Sequence, residues 1–252
     1  MRKFDLNEPS LFMPDVIPFP DVTGKIVLLL PSAIEVAIFS KIFGFREEDA
    51  KKLFCANVII GTSDYPNLMM CGNFMGASLA VALLEVLAGK GARHFIFCGQ
   101  CGSLNPKMGI GTVFMAEAAA SDEGASVNYS HDDVFKPDQE LTRTLKAVLN
   151  SRDQVFARGT MVSTDAVFRE TKSKIDFFKA NNYLALDMET SALYAAARFL
   201  NVRLCSLYVI SDVFYDDKWM AGVGSREFKQ GSREAAQVVK EMVIWMTEYL
   251  KA

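Results

Sequence analysis

The sequence predicts a single α/β domain in which helices flank a mixed central β-sheet. From Lys25 onward, short β-rich runs alternate with longer segments of helical period. This alternation is typical of a largely parallel or mixed sheet covered by helices. The chain has 252 residues, of which 50% are hydrophobic and 23% charged, and is therefore long enough to bury one substantial core.

The order of elements follows from the same alternation. Strands are expected over Lys25–Leu30, Val58–Gly61, Leu68–Cys71, His94–Cys98, Thr112–Ala116, Gln154–Met161 and Arg203–Ile210. Helices are expected over Ala33–Phe43, Gly76–Ala88, Gln139–Asn150, Lys172–Ala180, Met188–Leu200 and Ser225–Leu250. Gly44 and Gly89 follow two of these helices, and we expect them to act as C-terminal stops.

Residues 1–22 differ from the rest of the chain. They contain four of the eight prolines and follow neither the helical nor the strand period. We therefore expect an irregular N-terminal arm over residues 1–22, lying on the surface or on a neighbouring subunit, and a folded domain over residues 23–252.

Charge and hydropathy exclude several classes of partner. The formal net charge is -3 and no run of Lys or Arg is present, so neither a nucleic acid nor an anionic membrane surface is expected to bind. The apolar runs are too short to cross a bilayer, and the N-terminus lacks the apolar core of a signal peptide. Several of the five cysteines, including Cys55, lie in apolar stretches, which favours reduced, buried thiols and a cytoplasmic location.

Polar and glycine-rich segments stand where the predicted strands end. They are PSAIE (31–35), GNFMGAS (72–78), GQCGSLNP (99–106) and ISDV (210–213), and DMETSA (187–192) opens a helix. Ligands of open α/β sheets collect at the carboxyl ends of strands, so a small-molecule site is expected there. In the third segment, Gly99 and Gly102 allow a close approach of a ligand, although glycines after a strand are also common turn formers.

Two carboxylates in these segments are candidates for ligand contacts. Glu189, beside Asp187 at a helix start, either caps the helix through its charge or accepts hydrogen bonds from two vicinal hydroxyls. Asp212, which follows Ser211, either forms a turn or helix cap or donates a proton to a leaving group from a partly dry site. The spacing alone leaves both choices open.

Taken in order, these segments resemble the nucleoside phosphorylase family, which includes purine and uridine phosphorylases and methylthioadenosine nucleosidases. DEGAS (122–126), STDAVFRE (163–170) and LDMETSALYAAA (186–197) complete the series, and the resemblance runs from about Lys25 to the C-terminal helix. It implies a three-layer catalytic domain that cleaves the N-glycosidic bond of a nucleoside in nucleoside salvage. It also implies a homo-oligomer built from dimers, such as a hexamer, with no metal and no cofactor.

The resemblance assigns roles at the sugar and at the base. Met188 matches the residue that packs on the sugar, and Glu189 matches the one that binds the ribose hydroxyls. Asp212, preceded by Ser211, matches the acid that protonates or hydrogen-bonds N7 of a purine, and this pair favours a purine nucleoside.

Two further segments are implied to contact the substrate. Phe168 lies near the position of the aromatic residue that stacks on the base, with Val167 as the alternative one residue earlier. Gly99 and Gln100 belong to the strand-end loop and are expected to bind substrate.

The sequence departs from the family at the phosphate site. The loop after the first strand, LPSAIEVA, has no Arg, and Phe97 stands where a second Arg is expected. Phosphorolysis, with phosphate as co-substrate, is the family's usual reaction. A cation from a neighbouring subunit, or Arg46, Arg93 or Arg169, would be needed to hold the phosphate.

Two alternatives follow from the missing arginines. The first is hydrolysis, for which Glu35 falls at the position of the family's water-activating Glu. Glu35 also completes a capping box with Ser32, which explains the same residue structurally. The second is a catalytically weak protein that binds nucleosides but lost the anion site.

Overall fold

The computed structural model describes residues 5–6, 8–215 and 218–249. Parts of the predicted arm and domain, residues 1–4, 7, 216–217 and 250–252, lie outside the described residues, as does the expected end of the last helix at Leu250. Across the described ranges, eleven strands form one mixed sheet with helices on both faces. The predicted α/β class is therefore confirmed.

The strands and helices have the following bounds. The strands are β1 (Ile26–Leu30), β2 (Lys51–Leu53), β3 (Ala56–Ile60), β4 (Leu68–Gly72), β5 (His94–Ser103), β6 (Val113–Asp122), β7 (Val134–Phe135), β8 (Phe156–Thr164), β9 (Ala185–Asp187), β10 (Arg203–Tyr215) and β11 (Lys218–Ala221). The helices are α1 (Ala33–Phe43), α2 (Ala77–Gly89), α3 (Gln139–Ser151), α4 (Lys172–Ala180), α5 (Thr190–Phe199) and α6 (Arg226–Tyr249).

Part of the sheet closes on itself. Strand β10 runs parallel to β5 and antiparallel to β6, and the chain of pairs β6–β8–β9 returns to β5. Five strands therefore form a ring. From β5 the sheet continues as an open extension through β1, β4, β3 and β2. Because β1, β5 and β10 are parallel, their carboxyl ends meet at one edge.

Two large hydrophobic cores fill the faces of this sheet, and a smaller one contains Ile175 and Phe178 of α4. Helices α2 and α5 contact each other and share one core, which contains the buried rings of Phe95 and Tyr208. Helices α1, α3 and α6 cover the other, where Phe39 and Met242 are buried. None of the described helices has both the length and the apolar character that crossing a bilayer requires.

The structure changes several predicted boundaries. The short strands β2, β7, β9 and β11 were not predicted, and β5, β6, β8 and β10 extend farther at their carboxyl ends than expected. Helix α5 begins at Thr190, so Met188 and Glu189 precede it. Gly44 ends α1 in the left-handed conformation, as predicted, whereas Gly89 is still helical.

Two other expectations concern the thiols and the arm. Four cysteines are buried, but Cys55 is exposed and the prediction of a buried thiol there is wrong. Between residues 8 and 22 the chain has a single 3-10 turn, Pro14–Val16, which contacts α2. The division at residue 22 stays a prediction.

The packing of α6 on the sheet gives a test of the fold. We expect Gly231→Ala to lower the free energy of unfolding by about 1–3 kcal/mol, because the new Cβ would overlap the Gly111 carbonyl, a backbone group that cannot turn away. The gain in helix propensity, about 1 kcal/mol, is too small to offset this overlap. Gly109→Ala is the matched control, because a Cβ there meets nothing within 4 Å. Equal denaturant midpoints for the two variants would contradict the packing described.

Candidate active site

A cavity of about 610 Å³ opens at the carboxyl ends of β1, β5 and β10. The polar and charged residues of its wall are Ser32, Gln100, Glu170, Asp187, Glu189, Ser211 and Asp212. The apolar residues of its wall are Met75, Val167, Phe168, Leu186, Met188, Phe214, Trp219 and Val223. The volume is of the size usual for small-molecule sites. The predicted small-molecule site at this edge of the sheet thus has a matching cavity.

The two carboxylates singled out from the sequence both line this cavity, although α5 and most of β10 separate them along the chain. Strand pairing explains their approach. Gly102 on β5 pairs with Leu186 of β9 on one side and with Asp212 of β10 on the other. A Cβ at Gly102 would lie 2.8 Å from Asp212 Oδ2, so glycine makes room for the acid.

Glu189 is held by the backbone rather than by a helix cap. Its side chain is 5% exposed, and its Oε1 accepts a hydrogen bond from Gly76 N at 2.6 Å while Oε2 accepts one from Met188 N at 3.3 Å. Although Glu189 is the residue preceding α5, it makes no capping hydrogen bond. Burial, and secondly the charge of Asp187, raise the pKa of Glu189.

Asp187 supplies the cap instead. Its carboxylate accepts hydrogen bonds from Thr190 N at 3.1 Å and from Ser163 Oγ at 2.5 Å. Ser163 Oγ in turn accepts from Ser191 N, and Ser191 Oγ donates to buried Glu123. The segments DEGAS and STDAVFRE therefore contribute to a buried network that fixes the start of α5.

Asp212 lies within β10, at an irregularity in its pairing with β5 between Ile210 and Asp212. It is half-buried, and neither a turn nor a helix cap explains it. Ser211 Oγ donates to its Oδ1 at 2.6 Å, and Trp219 Nε1 on β11 donates to its Oδ2 at 2.8 Å. Each carboxylate oxygen thus has a donor within the protein.

Glu35 takes the capping-box position at the start of α1, and its role in activating water stays a prediction. Ser32 caps α1 by accepting from Ile34 N, and its hydroxyl also donates to the Glu35 carboxylate. Glu35 is 5% exposed, and burial raises its pKa. Glu35 itself is not part of the cavity wall, but it contacts Ser32, which lines the cavity, and its charge acts on Glu189.

The remaining candidates divide into those that reach the cavity and one that does not. Val167 and Phe168 both stand at its wall, and Phe168 is 97% exposed. Gln100 lines the cavity, and its Oε1 is buried without a hydrogen-bond partner in the described part of the chain. Gly99 is not part of the cavity wall, and a side chain built there would contact Pro31 and Phe97. A direct contact of Gly99 with substrate stays a prediction.

The charges around the cavity have one sign. Of the charged side chains that line it within residues 5–6, 8–215 and 218–249, all four are carboxylates, namely Glu170, Asp187, Glu189 and Asp212. Phe97 lies in the core against Phe74 and Tyr208.

The arginines considered as replacements do not contribute to the cavity wall. Arg46 forms ion pairs with Glu48 and Asp49, and Arg93 donates to the carbonyls of Ala88 and Ala92 near the amino end of β5. Arg169 is exposed beside the mouth. In the isolated chain, a phosphate at this cavity would therefore meet carboxylates rather than cations.

Among the wall residues that sequence reasoning missed are Glu170 and Trp219. Burial first, and then the charge of Asp212, raise the pKa of Glu170 to about 7. Glu170 is the last residue of the segment STDAVFRE, on which the family resemblance partly rests. The sequence around it has no pattern that predicts a charged side chain facing the cavity. Trp219 lies on a strand too short to be predicted.

Comparisons with known proteins agree with this architecture. A guanosine phosphorylase from Halorubrum lacusprofundi is 30% identical over 147 residues, which are 58% of this chain and 61% of that protein. Among solved structures, a purine nucleoside phosphorylase from Toxoplasma gondii with immucillin-H superposes with a TM-score of 0.79 at 16% identity, covering 91% of this chain and 93% of that one. A Helicobacter pylori 5'-methylthioadenosine/S-adenosylhomocysteine nucleosidase gives 0.73 at 21% identity, covering 88% and 99%.

These superpositions confirm the three-layer fold that the resemblance implied. The sequence itself matches the family model of the phosphorylase superfamily over residues 25–246. That range spans every strand and helix that contributes to the cavity. The chain therefore belongs to the phosphorylase superfamily.

Proposed function

We propose that this protein cleaves the N-glycosidic bond of a purine nucleoside and that water is the attacking group. Cleavage of this bond is supported by the relatives, which include a guanosine phosphorylase and a methylthioadenosine nucleosidase. The choice of water rests on one observation: every charged side chain lining the cavity in the described ranges is a carboxylate.

Glu189 is suited to hold the ribose. Its two backbone hydrogen bonds use one lone pair on each oxygen and leave the others for acceptance from two vicinal hydroxyls. Met188, half-buried at the same wall, provides an apolar surface for the sugar. Binding energy from the hydroxyls then holds C1′ in position for the chemical step.

The base is placed against Asp212. Asp212 hydrogen-bonds N7, and Phe168 or Val167 covers the ring from the mouth. As the C1′–N9 bond breaks, positive charge develops on the ribosyl ring. The surrounding carboxylates stabilise this charge, because a preorganised negative environment lowers the energy of an oxocarbenium-like transition state.

The same carboxylates oppose phosphate. A phosphate dianion needs charge-assisted donors, each contributing about 1.5–3 kcal/mol, and here it would meet acidic side chains, whose charge repels it, and no cation among the described wall residues. Water meets no such repulsion. Glu35, which contacts Ser32, serves as the general base, and the unpaired amide oxygen of Gln100 accepts a hydrogen bond from the water or the sugar.

Phosphorolysis is the second candidate, because the guanosine phosphorylase relative carries that reaction in its name. It requires a cation from a neighbouring subunit. We also propose a cytoplasmic homo-oligomer built from dimers that acts in nucleoside salvage without a metal or cofactor. Light scattering of the purified protein measures its oligomeric state.

The choice between water and phosphate is testable in one assay. We expect inosine or guanosine to release free base at the same rate with and without added phosphate, because no phosphate enters the reaction. In H₂¹⁸O, mass spectrometry of the sugar product is expected to show one ¹⁸O in free ribose. Turnover that requires phosphate and yields ribose 1-phosphate would reject hydrolysis. Binding of a nucleoside without release of free base would reject both reactions and indicate a nucleoside-binding protein.

The role of Glu189 gives a second test. We expect Glu189→Gln to lower kcat/KM for inosine roughly 10²-fold, since an amide forms weaker hydrogen bonds with two hydroxyls than a carboxylate. Turnover of 2′,3′-dideoxyinosine, which lacks these hydroxyls, should change less than about 3-fold on the same reasoning. Asp176→Asn, a surface acid on α4 paired with Lys172, is the control. Equal losses on both substrates would contradict sugar binding by Glu189.

A third test separates catalysis by Glu35 from its role in capping α1. We expect Glu35→Gln to lower kcat by on the order of 10²-fold or more, because the amide cannot accept the proton of water. The amide still accepts from Ser32, so the melting temperature should change little. Glu35 must be ionised, and its raised pKa predicts that wild-type activity falls as pH drops through that pKa. Loss of this acidic limb in the variant supports the assignment, and an unchanged rate would contradict it.

A further inference from the structure

Trp219 is a wall residue of the cavity that the mechanism above does not use. It lies on β11, and the antiparallel pairing of β11 with β10 places it opposite Phe214. Asp212 stands two residues before Phe214 on β10, so both side chains leave the same face of the sheet. Trp219, Phe214 and Asp212 all line the cavity. The register therefore puts the indole diagonally across from the carboxylate, within reach of a long side chain.

The contact between Trp219 and Asp212 is a direct hydrogen bond. Trp219 Nε1 donates to Asp212 Oδ2 at 2.8 Å, and Ser211 Oγ donates to Oδ1 at 2.6 Å. One donor on each oxygen fixes the plane of the carboxylate, because rotation about the Cβ–Cγ bond would spoil the geometry of both hydrogen bonds. One donor belongs to β10 itself and the other to the neighbouring strand. The orientation of Asp212 is therefore set in part by β11.

Strands on both sides enclose the carboxylate of Asp212. Asp212 pairs with Gly102 of β5 and with Ala221 of β11, so these strands lie at opposite edges of β10. On the β5 side, a Cβ at Gly102 would lie 2.8 Å from Asp212 Oδ2. The same oxygen accepts the hydrogen bond from Trp219. Glycine on one strand thus makes room for the carboxylate, and the indole on the other strand holds it there.

Packing in a core does not explain the position of the indole. Trp219 is 60% exposed, and all four residues of β11 are exposed. A tryptophan that serves the core loses most of its surface to neighbouring side chains, whereas this ring keeps more than half of its own. The hydrogen bond to Asp212 accounts for the direction in which the indole points.

We propose that Trp219 is a positioning residue for the leaving base, and that its indole N–H holds the carboxylate of Asp212 in the orientation that meets N7 of the purine. This inference rests on the proposed cleavage of a purine nucleoside and on the proposed contact between Asp212 and N7. An indole N–H donates and does not accept, so the hydrogen bond at Oδ2 has one direction. A carboxylate held in this way does not need to turn as the bond to the base breaks.

Replacement of Trp219 by phenylalanine removes the N–H and keeps an aromatic ring. We expect Trp219→Phe to lower kcat for inosine by about 10-fold, the effect of one lost hydrogen bond. KM should change less than about 3-fold, because the lost interaction acts on the base as it leaves and not on the binding of the substrate.

The chain offers a matched control for this substitution. It has two tryptophans, and the second, Trp245, lies on α6 and is not part of the cavity wall. Trp245→Phe makes the same chemical change away from the site. It should keep the wild-type kcat and KM for inosine.

The indole N–H provides a readout that does not depend on turnover. A ¹H–¹⁵N spectrum of the protein should show one indole signal for each of the two tryptophans, and the variants Trp219→Phe and Trp245→Phe assign them. We expect Asp212→Ala to move the Trp219 proton signal upfield, because an N–H that donates to oxygen is deshielded and this variant removes the acceptor. The Trp245 signal should stay in place, which also shows that the variant is folded.

The outcomes distinguish this inference from the proposed function. If the wild-type protein releases no base from any nucleoside, the proposed function fails and the role of Trp219 fails with it. If the wild type is active and Trp219→Phe keeps its kcat, only the role of Trp219 is overturned. A lower kcat together with a Trp219 signal that Asp212→Ala leaves unmoved would also overturn it, because the effect would then not pass through Asp212. A rise in KM alone would do the same.

Discussion

The pairing of β5 with β9 on one side and β10 on the other is the constraint on which the cavity depends. Gly102 is the point of contact, with Leu186 and Asp212 as its two neighbours. The register fixes where Asp212 stands and where the chain leaves β9 toward Glu189. A slip of one residue in either pair would turn these side chains to the opposite face. The hydrophobic cores on the faces of the sheet prevent such a slip, because each strand buries a defined set of apolar residues.

This constraint concentrates negative charge in a small volume, and the surrounding groups limit its cost. Buried carboxylates are unfavourable unless they accept hydrogen bonds. Asp187 accepts from hydroxyl and backbone donors, Glu189 from two backbone N–H groups, and Asp212 from a hydroxyl and an indole. Glu170 lies where burial and Asp212 favour its neutral form. A cavity with this distribution disfavours anions and suits the proposed reaction, in which the sugar becomes positively charged.

The sequence predicted those features that depend on pattern within one segment. Alternating strands and helices established the fold class, and the strand-end segments pointed to Asp212 and Glu189. Features that depend on contacts between distant segments were missed. Strands β7 and β9 have two and three residues, too few to show a period. The raised pKa of Glu170 depends on burial and on Asp212, which lies far along the chain.

The fold does not determine which nucleophile attacks, whereas individual residues of the sequence bear on that choice. The fold is shared with phosphorylases and nucleosidases alike, so it does not select between phosphate and water. Phe97 bears on this choice because it is built into the core between Phe74 and Tyr208. An arginine at that position would bury a charge among aromatic rings, at a cost of several kcal/mol unless a partner anion were bound. Building a phosphate site around an arginine at this position would therefore require repacking this part of the core. This coupling between core packing and the choice of nucleophile agrees with our proposal that water attacks.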